Sequence, residues 1–354
     1  MRKRIVMLAA LLFCVLHARV AAPCGAVAGD GAFVRLAAEK TLIVWDPETK
    51  TEHFVRLPLF EGDPKDFGFF VPTPVVPAVA KVDAAMFDEL DRLVPNPEKG
   101  DALGGAPRAA AAAAAPVVVE QTVRLDDFEL VTLRATDTHA LIGWLRAHEF
   151  ASRPSLELWA RRYVVRGWVL NAMRYAPQGP VKPRQVQTPA VRLSFAIETP
   201  FYPYTEAPPV TADEDAYVAR TRRPLAPRPL DLWVVAPTEV EARMGGELAG
   251  VAGAPGPARV GTGSVASAPL ATLLQPASWN FRPETRATWT ITRFREDTVR
   301  RTAFDDLTFV EPGASGDGGD DRGGAARYVP FVVLLGAIAL ALVLALTDRS
   351  RPER

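Results

Sequence analysis

Val191-Arg192-Leu193-Ser194-Phe195-Ala196-Ile197-Glu198 alternates apolar residues with polar or small ones without a break. A period of two marks a β-strand with one face in a core and the other in solvent, so this stretch predicts a half-buried strand. It leaves through Thr199-Pro200-Phe201-Tyr202-Pro203. Proline has no N–H to give a ladder, so such an exit is extended and edge-like. The same order stands earlier, where Phe69-Phe70-Val71 runs into Pro72-Thr73-Pro74-Val75-Val76-Pro77. The echo points to a duplicated unit in which similar strands meet similar edges. An unpaired edge accepts a partner strand. Pro72, Thr73, Pro74, Pro77, Thr199, Pro200 and Pro203 are therefore the candidate partner-binding residues.

Working outward, Thr41 to Trp45 and His53 to Leu57 flank the turn Asp46-Pro47-Glu48-Thr49-Lys50 and read as a hairpin. Further strands are expected at 67–71, 168–175, 231–236, 286–294 and 305–310. Helices are few and short. Asp83 is placed to cap one carrying Phe87, Leu90 and Val94, with Pro95 and Pro97 stopping it. Thr136 or Asp137 caps a second with Leu141, Trp144, Leu145 and His148. Pro154 opens a third with Leu156, Trp159, Ala160 and Tyr163 on one face. The fold class is α+β, a β-rich ectodomain of antiparallel strands. Residues 23–98 read as one subdomain and 117–311 as a second, separated by an Ala/Gly/Pro-rich insert at 99–116. A low-complexity loop is expected at 244–270 and a Gly/Asp stalk at 312–327.

Both ends are apolar. Arg2-Lys3-Arg4 followed by Ile5 to Leu16 has the order of a secretory signal and is too short to span a bilayer. Cleavage falls between residues 19 and 29, the signal being taken as 1–22. Phe331 to Leu346 carries no charge, and Arg349, Arg351 and Arg354 follow. That predicts a transmembrane helix at 328–347 whose basic tail is cytoplasmic. The expected location is the inner membrane, single-pass, with the N-terminus outside and the bulk of the chain periplasmic. Gly318-Gly319, Gly323-Gly324, the helix and the Arg cluster also resemble a sorting tag that is cut after export.

The chain has 354 residues, 41 basic against 41 acidic, and 32 prolines. A balanced charge with no basic stripe argues against nucleic acid as a partner. Cys14 lies in the signal, so export leaves Cys24 at most, without a partner for a disulfide. Pro23 spoils a lipobox before it. His53, His139 and His148 do not share metal-ligand spacing. Gly25 to Gly31 lacks the pattern of a phosphate loop, and Asp317, Asp320 and Asp321 lack that of a calcium loop. No catalytic, cofactor or metal residue is assigned, and no nucleotide is expected. The seven tryptophans read as core or interface anchors rather than a sugar platform.

Pro23-Cys24-Gly25 and Leu42-Ile43-Val44 are followed by Gly62-Asp63-Pro64-x-x-Phe67-Gly68-Phe69-Phe70-Val71-Pro72-Thr73-Pro74 and Phe87-x-x-Leu90. Leu133-x-Ala135-x-Asp137-x-x-Ala140-Leu141-x-x-Trp144-Leu145 comes later. Together these resemble the bacterial envelope proteins grouped as domain of unknown function 2330, over residues 23 to 205. The resemblance implies an exported protein, often with a C-terminal membrane segment, and carries no activity or catalytic residue. The second early cysteine often seen in the family is absent at Ala32-Phe33-Val34.

The reading is a non-enzymatic binding or structural module, held at the lipid bilayer by its C-terminal helix and facing an envelope protein partner. The alternative is a periplasmic hydrolase or carbohydrate-active enzyme using Asp63, Asp66, Asp126 and Asp127, with two carboxylates across one pocket. A sensor subunit is weaker, because the cytoplasmic tail is too short for an output domain.

Overall fold

The alternation at 191–197 does form a strand, Ala190–Ala196, but its polar face is covered at Ala190 and Arg192, half-covered at Ser194 and exposed only at Ala196. The half-buried expectation fails because Arg192 is buried under the indole of Trp279, 4.9 Å from the ring centroid. Ser194 beside it is engaged by His53. The other face, Val191, Leu193 and Phe195, enters the main core.

The structure, a computed structural model, describes residues 27–28, 33–62, 67–95, 117–150, 154–177, 185–207, 211–251, 253–275, 279–301, 303 and 305–313. The expected signal, the 99–116 insert, the stalk from 314 on, the transmembrane helix and the basic tail lie outside these. So do Cys14, Cys24, Asp63 and Asp66. Among the described residues no helix is long and apolar enough to cross a membrane.

In chain order the strands are β1 (Val27–Ala28), β2 (Val34–Asp46), β3 (Thr51–Gly62), β4 (Phe67–Thr73), β5 (Ala78–Val82), β6 (Val117–Leu125), β7 (Phe128–Ala135) and β8 (Val169–Tyr175). They continue as β9 (Gln185–Gln187), β10 (Ala190–Ala196), β11 (Phe201–Tyr202), β12 (Arg228–Ala236), β13 (Glu241–Met244), β14 (Glu247–Leu248), β15 (Ala258–Ala266), β16 (Thr288–Thr298) and β17 (Leu307–Val310). The helices are α1 (Met86–Leu93), α2 (Thr138–Ala147), α3 (Pro154–Val164), α4 (Thr211–Thr221) and α5 (Ser267–Leu274). The α+β, β-rich class is thus as expected.

Three sheets form. The first has the order β1-β4-β8-β7-β6, the second β15-β16-β12-β2-β3-β10-β5 with β9 also on β3, and the third β11-β17-β13-β14. The described pairs are antiparallel except β2 with β12, which is parallel. The second sheet takes β2, β3 and β5 from before the 99–116 insert and β10, β12, β15 and β16 from after it.

Alternation along each strand sets the layers. Ile43, Phe54, Leu193, Leu232 and Phe294 of the second sheet meet Phe67, Phe69, Leu130 and Met173 of the first, joined by Ala242, Met244, Leu307 and Phe309 of the third. The opposite face of the second sheet, with Leu42, Val44, Val55, Trp233 and Ile291, lies under Phe87 and Leu90 of α1 and Leu270 and Leu274 of α5. The outer face of the first sheet, with Phe70, Leu133, Leu170 and Ala172, lies under α2 and α3. The order of layers is helix, sheet, sheet, helix.

Local signals hold in most places. Asp137 caps α2, its carboxylate accepting from the Ala140 N–H at 2.6 Å. Asp46 holds the β2–β3 turn by accepting from Glu48 N and Thr49 Oγ1. Asp83 does not cap α1. It accepts from Ala85 N one turn early, and Ala85 is the cap residue without a side-chain bond. The 244–270 stretch is not a long loop, since it holds β14, β15 and the start of α5. Its glycines are there for packing: a Cβ on Gly261 or Gly263 would come within 2.8 or 2.9 Å of the Val94 side chain.

Candidate functional site

The two proline exits are corners. The first carries the chain from β4 in the first sheet to β5 in the second, and the second from β10 in the second sheet to β11 in the third. Pro72 and Thr73 are buried within β4, Pro74 is half-buried and Pro77 buried. Thr199 is half-buried, Pro200 and Pro203 are buried, and the Pro200 carbonyl accepts from Phe309 N at 2.9 Å. The first corner is fixed from beneath by Asn171, which is fully buried. Its Nδ2 donates to Val71 O at 2.9 Å and to Thr73 Oγ1 at 3.0 Å, while its Oδ1 accepts from Thr132 Oγ1 at 2.7 Å. Gln121 then donates to Pro77 O at 2.8 Å. The residues of the two exits therefore serve different pairs of sheets.

The chemistry-bearing groups fall into two buried clusters and one open groove. The first cluster is ionic and lies in the interior. Arg56 donates to both oxygens of Glu39. Arg301 lies 3.8 Å from Glu39 and 3.3 Å from Glu296, and Arg228 reaches both oxygens of Glu206 at 3.2 Å. Tyr204 donates to Glu296 at 2.7 Å. Burial pushes Glu39 up, but Arg56 and Arg301 outweigh it and hold the carboxyl low. For Glu206 burial wins over Arg228 and Arg301 and takes it up to about 8. Burial also drives Glu52 well above its usual value, against one hydrogen bond from Phe201 N.

The second cluster pairs His53 Nδ1 with Ser194 Oγ at 2.8 Å. A Ser–His contact has the elements of an activated nucleophile. Here, however, His53 is 0% exposed, and the rings of Trp279 and Phe281 stand 5.6 and 5.8 Å from it. Burial and the nearby Arg192 lower His53 to about 4, with Asp46 opposing. His53 is held as a core contact, with half-buried Ser194 at its edge.

The groove is where polar side chains meet solvent. α2 spans only Thr138–Ala147, so the first sheet runs on past the helix and its outer face is left uncovered there. Val119 and Thr122 of β6, Val131 and Glu129 of β7 and Arg174 of β8 form the floor, and the end of α2 forms the wall around about 370 Å³. That is within the size range of small-ligand sites. Glu129 and Arg174 are cross-strand partners, with Arg174 Nε donating to Glu129 at 2.6 Å. The same guanidinium donates to His148 O at 3.2 Å, lies 3.7 Å from Glu149 and stands 5.2 Å from the Phe150 ring centroid. Trp144 and His148 stack with centroids 3.9 Å apart. His148 Nδ1 lies 2.8 Å from Trp144 O. A carbonyl only accepts, so Nδ1 carries a proton in this contact.

Glu149 sits at φ 61°. It occupies the left-handed position after α2, with Phe150 N bonded back to Leu145 O at 2.9 Å. Glycine or asparagine is the usual choice there. A glutamate held in that conformation at the rim of a groove is the kind of local strain that clusters at ligand sites.

Of the other predicted residues, Asp126 and Asp127 form the β6–β7 turn, where Asp126 lies 3.4 Å from Lys81. His139 opens α2 and His148 follows its end, so they do not converge. Among the described residues no group of three His, Cys, Asp or Glu side chains comes together to hold a metal. Trp159, Trp233, Trp279 and Trp289 are buried, and Trp45, Trp144 and Trp168 partly so. Sequence reasoning placed Trp144 and His148 on one helix and missed their partners Glu129 and Arg174. Spacing four apart puts Trp144 and His148 on one helix face, and that was the available signal.

The profile of the bacterial family described as "Uncharacterized protein conserved in bacteria (DUF2330)" matches residues 18–208, more than half of the chain. The chain belongs to this family. The DUF2330 match takes in both proline corners, the groove and α3, and stops before β12. No curated protein matches the chain. Among solved structures, baculovirus P35 is similar at 9% identity, covering 79% of this chain and 96% of that one, with a TM-score of 0.33.

Proposed function

We propose that this DUF2330 protein is exported, held at the inner membrane by Phe331 to Leu346, and uses its outer domain to bind an envelope component. The end groove of the first sheet is the site, and Arg174 is the observation that carries it. One guanidinium gathers Glu129, Glu149, the His148 carbonyl and the Phe150 ring around an open volume. Paired donors and acceptors beside an aromatic wall suit a saccharide, whose C–H face packs on a ring and whose hydroxyls both give and accept hydrogen bonds. Both groove carboxylates engage the same guanidinium, and His53 is buried beneath Trp279 and Phe281 with its charge suppressed. Those features favour holding a ligand over transforming it.

Titration of the full chain with N-acetylglucosamine oligosaccharides, followed by tryptophan fluorescence, tests the site. Saturable quenching that is lost in Trp144→Ala and Arg174→Gln is expected; no saturable response in the native chain would end the reading. Protease added to spheroplasts tests the tether: the outer domain should be digested while a C-terminal tag stays protected.

A further inference from the structure

α3 and the turn that follows it point two large apolar side chains outward. The inner face of the helix, Leu156, Trp159, Ala160 and Tyr163, is buried. That face is locked by bonds from Trp159 Nε1 to Thr205 O at 2.7 Å and from Tyr163 OH to Asp306 at 2.8 Å. On the outer face Leu158 is 70% exposed and Val165 72%, more than any other large apolar residue described. Arg161 is exposed one turn along α3 from Leu158, and Arg166 is exposed beside Val165 in the turn that follows the helix. Arg161 has no ion pair or hydrogen bond among the described residues. Arg166 has only the Trp168 ring, 5.8 Å away. Nearby carboxylates do not answer them: Asp305 is taken by Arg162 at 2.7 Å, and Glu157 lies 3.9 Å from His139.

We infer that the patch formed by the outer face of α3 and the turn after it docks on the anionic headgroups of a lipid bilayer. Guanidiniums without a carboxylate partner match phosphodiester oxygens in a bidentate way. Aliphatic side chains between them enter the headgroup layer, as on interfacial helices. The patch is far smaller than the roughly 1,000 Å² that a stable protein interface needs. A weak surface contact suffices when a tether holds the partner close and makes the encounter intramolecular. To that extent the inference rests on the tether proposed above.

The test is amide exchange of the full chain in vesicles of phosphatidylcholine alone and with added phosphatidylglycerol. Amides of residues 158–167 should slow at least about threefold in the anionic vesicles only, as expected for two arginines at a charged surface. The Arg161→Gln/Arg166→Gln and Leu158→Ser/Val165→Ser variants should lose that protection and keep the native unfolding midpoint. Equal exchange in both lipids overturns the inference. Protection that follows protein concentration rather than lipid also overturns it, and indicates a second copy on this face. Retention of the chain by phosphatidylcholine vesicles reads the tether separately, so loss of the tether and loss of anionic docking are distinct outcomes.

Discussion

Arg56 of β3 reaches diagonally across to Glu39 of β2 in a bidentate pair, Nε to Oε1 at 2.5 Å and Nη2 to Oε2 at 3.2 Å. The two side chains are 4% and 0% exposed. A buried pair is strained by desolvation yet costly to break from one side. Arg56→Met should therefore destabilise by about 3–5 kcal/mol. Adding Glu39→Gln should recover part of that, since it removes a buried carboxylate left with Arg301 at 3.8 Å in place of its bidentate partner. Chemical denaturation of both single variants and the double variant gives the coupling, and additive losses would contradict it.

The buried carboxylates give stability a pH slope whose sign can be worked out. Glu206 titrates at about 8 when folded against an ordinary 4.5, so the folded state keeps a proton that the unfolded chain releases. Its contribution is full below 4.5 and is lost as pH rises through 8. His53 runs the other way. At about 4 against 6.5, its contribution is full above 6.5 and lost as pH falls through 4. The two oppose each other between 4.5 and 6.5. From 6.5 to 8 Glu206 acts without His53, helped by Glu52 and Asp306, which burial also pushes up. Stability should fall over that interval, and Glu206→Gln should flatten the fall in urea midpoints. An unchanged slope in the variant would count against it.

Asn171 is the pin of the first proline corner. Asn171→Leu removes the donor to Val71 O and Thr73 Oγ1 and orphans buried acceptors, so a loss of about 1–3 kcal/mol is expected. Exchange of the amides around residues 73–77 should rise with it, which separates loss of the corner from a general loss of stability.

Two glycines with positive φ should respond differently to alanine. Gly62 is at φ 134°, and a Cβ there would stand 2.0 Å from Phe33 O. Gly167, at φ 73° after α3, has nothing within 4 Å. Gly167→Ala should cost about 1 kcal/mol, the left-handed penalty alone. Gly62→Ala must also move the backbone and should cost several times more. Comparable thermal midpoints for the two variants would refute the distinction.

What was legible in the sequence was local. The Asp46 turn, the Asp137 cap, the Pro154 start and the strand character of 191–197 each depend on neighbours a few residues away. What escaped was decided at a distance. Arg192 and Ser194 read as a solvent face, because only Trp279 and Phe281 from far along the chain show that this face is closed. Gly261 and Gly263 read as low complexity because Val94, which needs the room, belongs to another segment. The ion cluster escaped for the same reason: Glu39, Arg56, Glu206, Arg228, Glu296 and Arg301 each look like a surface charge until the sheets bring them together. The groove was half visible. Trp144 and His148 share a helix face, but Glu129 and Arg174 become their neighbours only through the β7–β8 register.

The parallel pairing of β2 with β12 also sets the order of events at the ribosome. β2 and β3 emerge early as a hairpin, while β12, β16 and Arg301 come from the last part of the described chain. Until those arrive, one long edge of β2 has no neighbour and Glu39 lacks one of its two countercharges. Closure of the central sheet is a late, long-range step, which topology makes slow. The central sheet therefore closes on both sides of β2 only after most of the described chain has been made.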